Sequence, residues 1–136
     1  LHNRPPHRER CLHAMTPPKL RPDGPFLAML VEFWNWLLAA ERLVVVGYSF
    51  RDEHINKLIE DWIGVRKGCV VEIVDPCVPE TSFECDRTVP EFIHAALQYK
   101  NNEARGCPYF PSMWKEACPV FEFHRVKAAE WIESRS

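Results

Sequence analysis

Leu43-Val44-Val45-Val46-Gly47-Tyr48-Ser49-Phe50-Arg51-Asp52-Glu53-His54-Ile55-Asn56 reads as a buried strand, a tight glycine turn and the capped start of a helix. Four apolar residues, three of them valine, suit a strand covered on both faces, as in a parallel sheet. Gly47 permits a sharp turn and close approach of a ligand to the backbone. Ser49 and Asp52 are both able to cap the helix, and their Ser-x-x-Asp spacing resembles a capping box with Asp in place of Glu. The helix that follows has one apolar face: Ile55, Leu58, Ile59, Trp62 and Ile63. Gly64 or Gly68 is expected to end it. Val70-Val71-Glu72-Ile73-Val74 then reads as a second buried strand, closed by Asp75-Pro76. Together these make one βαβ unit with a right-handed crossover.

On the N-terminal side, residues 1–25 are rich in Pro, Arg and His and read as an extended strap. A strong helix is predicted over Phe26–Glu41, with Leu27, Leu30, Val31, Trp34, Leu37 and Leu38 as its main stripe. Met29, Phe33 and Trp36 add apolar surface on its other sides. Such a helix is expected to be buried on more than one face, with its tryptophans in the core, and the rest of the chain is too small to cover it. Residues 77–119 form an irregular Pro- and Cys-rich insertion with one short helix, Pro90–Leu97, and a loop at 101–111. Val120–Val126 reads as a third strand and Ala128–Ser134 as a terminal helix. The fold class is therefore α/β, a three-layer Rossmann-like parallel sheet in one domain over residues 26–136.

Composition narrows the function. The 136 residues carry a net charge of −2, which gives no electrostatic case for nucleic acid or an anionic membrane. No apolar run approaches the roughly 20 residues of a membrane span. Six cysteines include no CxxC pair, so a four-thiolate zinc site is unsupported, and no metal is expected. His2, His7, Cys11 and His13 fit no standard ligand spacing. With Cys69 opening a core strand and no export signal visible, reduced thiols and a cytoplasmic location are expected. The chain starts at Leu1 rather than Met, and is expected to be a piece of a longer protein.

Two chemistries suit the strand–turn–helix. Gly47-x-Ser49, Asp75 and a downstream His94 or His124 have the chain order of an α/β-hydrolase triad with Ser49 as nucleophile, but Arg51 stands where that elbow needs a small residue. Alternatively, Gly47, Tyr48 and Ser49 at one strand's carboxyl end and Asp75 at the next form a nucleotide site, with Asp75 placed for ribose hydroxyls. A third possibility is a non-catalytic interaction module in which Ser49 and Asp52 are only caps and Asp75 only starts a turn. His54 lies on the first turn of the helix, off the apolar face, where it either reaches a ligand at the helix mouth or is solvated; Asn56 neighbours Ile55 and either bonds a backbone loop or touches ligand. Both read as structural before ligand-binding.

Leu38–Asn56 together with Val71–Pro76 resembles the carboxyl-terminal half of a sirtuin-like NAD-binding domain, closest to the microbial sirtuin-like branch. The carrying motif is Gly47-Tyr48-Ser49-Phe50-Arg51-Asp52-Glu53-His54-Ile55-Asn56, and Phe121–Ile132 is similar more weakly to that family's last strand and helix. The resemblance implies NAD or ADP-ribose as ligand, bound by Gly47, Tyr48, Ser49, Phe50, Asp52, Asp75, Pro76 and Val126. It implies cleavage of the nicotinamide–ribose bond, as NAD hydrolysis in phage defence or as deacylation. The family's glycine-rich NAD motif, its ribose-placing segment and its zinc ribbon are not present. Leu1-His2-Asn3 is a weak trace of its Leu-His-Gly, making His2 a weak catalytic candidate. On this reading the sheet is incomplete at its N-terminal side, the missing half of the domain is a partner, and the chain is inactive alone.

Overall fold

The computed structural model describes residues 24–84, 87–102 and 110–136. Residues 1–23 of the strap, with His2 and Cys11, as well as Cys85, Cys107 and the 103–109 stretch of the expected loop, lie outside the described residues, while Gly24 and Pro25 of the expected strap begin the first helix. The elements run α1 (Gly24–Ala39), β1 (Arg42–Val46), α2 (Glu53–Val65), β2 (Val70–Val74), a 3-10 turn (Ser82–Glu84), α3 (Glu91–Asn101), α4 (Met113–Ala117), β3 (Val120–His124) and α5 (Ala128–Ser134). The three strands form one parallel sheet in the order β1-β2-β3. The expected βαβ unit and the third strand are both present, in a mixed α/β fold compatible with a Rossmann-like core.

Strand alternation divides the sheet into two faces. Val45, Val71, Ile73 and Phe121 point to one side and join the main core with Ile59, Trp62 and Ile63 of α2, Phe92, Ile93, Ala95, Ala96 and Leu97 of α3, and Trp114 of α4. Cys69, just before β2, is also buried there, and burial pushes its thiol up to about 11, so it is an inert packing group. Gly64 does not end α2 but sits inside its last turn. A Cβ at that position would meet the outer part of the Met113 side chain of α4, which would have to move aside. Gly68, at φ +71°, makes the turn beyond the helix.

The opposite face carries Arg42, Val44, Glu72, Glu122 and His124, with Val44, Glu72 and Glu122 side by side in register. The seven-residue α5 reaches this face through Trp131 beside His124 and Arg135 bonded to Glu72. The organising group of the face is Glu72, whose side chain is 2 % exposed. Arg42 from β1 donates to one carboxylate oxygen. His124 Nε2 and Arg135 Nη2 each lie 2.9 Å from the other, tying β3 and α5 to the middle strand. Burial alone would push the Glu72 carboxyl up. The bonds from Arg42 and His124, with the charges of Arg42 and Arg135, outweigh that effect and hold it below the ordinary carboxylate range.

Helix α1 corrects two expectations. Only Leu30 and Leu37 are buried, while Leu27, Met29, Val31 and Leu38 are exposed and Trp36 is 68 % exposed. Trp36 is therefore not a core residue, and the helix is not buried on several faces. The reason is position: α1 packs against α2 beside β1, the outer strand, so one narrow stripe finds a partner. Trp62 is fully buried, as expected, with its indole N–H donating to the Ala40 carbonyl at 3.4 Å. Trp34 is half-buried against the core.

This packing makes two stability predictions. Ile63→Ala should lower the unfolding free energy by about 2–5 kcal/mol in denaturant titration, since it empties a fully buried site. Glu72 has a lowered folded pKa, so its contribution is complete above its unfolded value of about 4.3 and is lost as pH falls through the folded value. Wild type should therefore lose stability in that acid range more steeply than Glu72→Gln, as read by melting temperature against pH.

Candidate functional site

The turn after β1 is built by its own side chains. Gly47 adopts φ +70°, and Phe50, a non-glycine residue, adopts φ +58°. A bulky residue in the left-handed region costs about 1–2 kcal/mol and needs surroundings that hold it. Phe50 is buried and stacks on Phe92 of α3 at 4.9 Å with an interplanar angle of 11°. Asn56 Nδ2 donates to the Phe50 carbonyl at 2.8 Å. The Tyr48 hydroxyl donates to Asn56 Oδ1 at 2.9 Å and lies 3.2 Å from the Asp52 carbonyl oxygen. Burial pushes the Tyr48 phenol up to about 12, so it stays a hydrogen-bond donor at neutral pH. Asn56 thus bonds the backbone loop, as the sequence suggests.

Asp52 is the N-cap of α2. Its Oδ1 accepts from the His54 and Ile55 amides at 3.0 and 3.2 Å. His54 is half-buried against the Phe26 ring, with centroids 5.9 Å apart, which places it between α1 and α2.

The turn forms one wall of a cleft of about 230 Å³ at the carboxyl edge of the sheet. Tyr48, Ser49, Phe50 and Arg51 line that wall. Asp75, Cys77, Val78 and Pro79 line the second, and Thr88, Val89, Pro90 and Ile93 complete the lining. Parallel pairing of Val46 with Val74 brings Gly47 and Asp75 to the same edge, as a βαβ nucleotide site requires. Asp75 Oδ1 accepts the Cys77 amide at 2.8 Å, and this bond holds the carboxyl at the cleft wall. Arg51 is exposed at the mouth.

Of the residues named from sequence, the structure brings Tyr48, Ser49, Phe50 and Asp75 together. Gly47 makes the turn and Pro76 follows Asp75, but neither lines the cleft. Asp52 serves the helix cap. Val126 lies beyond β3, outside the lining. Cys77, Val78, Pro79, Thr88, Val89 and Ile93 are lining residues that sequence reading did not single out. They sit in the irregular insertion, where no periodicity indicates which side chains turn inward.

The hydrolase arrangement gains little from this geometry. His124 is bonded to Glu72 on the far face of the sheet, His94 lies on α3 outside the cleft lining, and Arg51 occupies the small-residue position of the elbow. Cys69, Cys77 and Cys118 are free thiols. Glu72, Glu122 and His124 place ligand-type atoms within 4.8 Å of one another, but Arg42 and Arg135 already neutralise that group. No helix of the described residues is long and apolar enough to cross a membrane. Compared with protein-family models, curated proteins and solved structures, the chain gives no match.

The loop makes a separable prediction. Asp52→Ala should cost about 1 kcal/mol of stability through the lost cap. Ser49→Ala should leave the melting curve within about 0.5 kcal/mol of wild type, because Ser49 is an exposed surface position. Parallel urea titrations of the two variants check both.

Proposed function

We propose that the cleft binds the ADP-ribose part of NAD, and that this chain belongs to a sirtuin-like domain that cleaves the nicotinamide–ribose bond. The observation that carries the reading is the convergence of the Tyr48–Arg51 turn and Asp75 on one cleft at the carboxyl ends of adjacent parallel strands. The turn offers the Ser49 hydroxyl and its own backbone amides, while the Asp52 cap already takes the His54 and Ile55 amides at the helix head. Arg51 adds a guanidinium at the mouth, where a diphosphate would pass. Asp75 is a carboxylate suited to accept from ribose hydroxyls.

Size supports a partial ligand. Sites for drug-sized molecules span about 300–1,000 Å³. A 230 Å³ cleft holds one end of a dinucleotide rather than all of it. The nicotinamide end and its catalytic groups would then be supplied from outside the described residues. The exposed apolar side of α1 favours a second reading, an interaction module with a degenerate nucleotide site.

Isothermal titration with ADP-ribose and NAD tests the proposal. Wild type should bind both. Ser49→Ala and Asp75→Ala should each weaken binding about tenfold or more, the loss expected for a hydrogen bond to a charged group. Asp75→Asn, which keeps an acceptor for the Cys77 amide, should lose less than Asp75→Ala. Absence of binding heat for both ligands would leave the interaction-module reading standing.

A further inference from the structure

The second wall of the cleft has an unusual support. Residues 77–80 lie between β2 and the 3-10 turn and belong to neither. Side chains hold their backbone groups in place of a ladder. Asp75 accepts the Cys77 amide, Glu84 Oε1 accepts the Glu80 amide at 2.9 Å, and Asn101 Nδ2 donates to the Glu80 carbonyl at 2.9 Å. The two carbonyls between them, Val78 and Pro79, accept from one side chain: Arg125 Nε at 2.9 Å and Nη2 at 2.6 Å.

Arg125 reaches this position because β3 runs parallel beside β2. Val74 pairs with His124, and the Asp75 amide donates to the His124 carbonyl at 3.0 Å, so Arg125 emerges next to the end of β2. Its guanidinium lies over the Phe123 ring at 5.6 Å and pairs with Glu80 Oε2 at 3.3 Å. Successive side chains leave the strand end in different directions: His124 goes to Glu72 on the far face, and Arg125 goes to the cleft wall.

We infer that Arg125 is a positioning residue of the cleft: its two-pronged bond to the Val78 and Pro79 carbonyls fixes the wall facing Ser49 and Arg51, and so sets the width available to the ligand. The inference rests on the nucleotide reading of the cleft. Guanidinium geometry matters here, because a planar fork satisfies two carbonyls in fixed directions and a lysine ammonium is a point donor. Val78 is buried, so its carbonyl needs a protein partner or a shift of the wall toward water. The Glu80 side-chain pair is exposed and is a dispensable part of the arrangement.

The test compares Arg125→Ala, Arg125→Lys and Glu80→Ala in the full chain, well below the melting temperature. Hydrogen exchange of the Cys77, Val78, Glu80 and Thr81 amides reads the wall directly, and calorimetric titration with ADP-ribose reads the ligand site. Arg125→Ala and Arg125→Lys should both raise exchange locally at these amides, and both should weaken ADP-ribose binding about tenfold. Glu80→Ala should change neither. Wild-type behaviour of Arg125→Lys in both measurements would overturn the positioning role, because charge alone would then suffice. Faster exchange spread across the whole sheet would overturn it too, by showing general destabilisation. If wild type binds no ADP-ribose while exchange follows the expected pattern, the nucleotide reading fails and the wall support stands. If wild type binds and the Arg125 variants bind equally well, the positioning role fails and the nucleotide reading stands.

Discussion

The parallel pairing of β1 with β2, with Val46 opposite Val74, governs where every other group in the molecule ends up. It puts the exits of both strands on one edge, so the Gly47–Arg51 turn and Asp75 face each other without any long loop. The same register decides the fate of Glu72. Side chains alternate between faces, and a slip of one residue would turn its carboxylate into the core and put Val71 and Ile73 on the far face. In the observed register it meets Arg42, His124 and Arg135 instead. A single pairing thus places a candidate ligand group on the rim and a compensated charge on the far face.

Rigidity at the rim comes from a small set of interlocking groups. The left-handed Phe50 is a local strain that stacking on Phe92 and the Asn56 bond offset. Tyr48 joins that network through Asn56, and Asp52 fixes the first turn of α2. One wall of the cleft is therefore held by the helix it introduces. The other is held by side chains from elsewhere, chiefly Arg125, whose strand is far away in sequence. The two walls are preorganised by different means, and preorganisation is what lets a small cleft orient a charged ligand.

Much of the fold was legible because it follows period. The valine runs of β1 and β2, the apolar face of α2, the alternation in β3 and the short α5 all stand where the pattern puts them. A third of the candidate cleft lining was legible for the same reason, since Tyr48, Ser49, Phe50 and Asp75 belong to the ends of periodic elements. The lining from Cys77 to Ile93 was not, because proline-rich irregular chain has no repeat to read. Helix α4 escaped notice because five residues are too few to show a helical period. Trp36 misled because apolar character says that a residue favours burial, not that a neighbour is there to bury it.

Local sequence alone specifies the strand–turn–helix at 43–56 and the carboxylate that closes the next strand, because dihedral preference and side-chain period act over a few residues; that Asp52 and not Ser49 caps the helix came from the structure. The assembled chain was needed to show which strand lies in the middle, that Glu72 is neutralised from three other elements, that α1 leaves most of its apolar surface exposed, and that Arg125 supports the cleft wall. Those outcomes depend on which groups meet across 30 to 63 positions of chain, as in the Arg42–Glu72 and Glu72–Arg135 pairs. Sheet order and register set such meetings, and no local pattern encodes them.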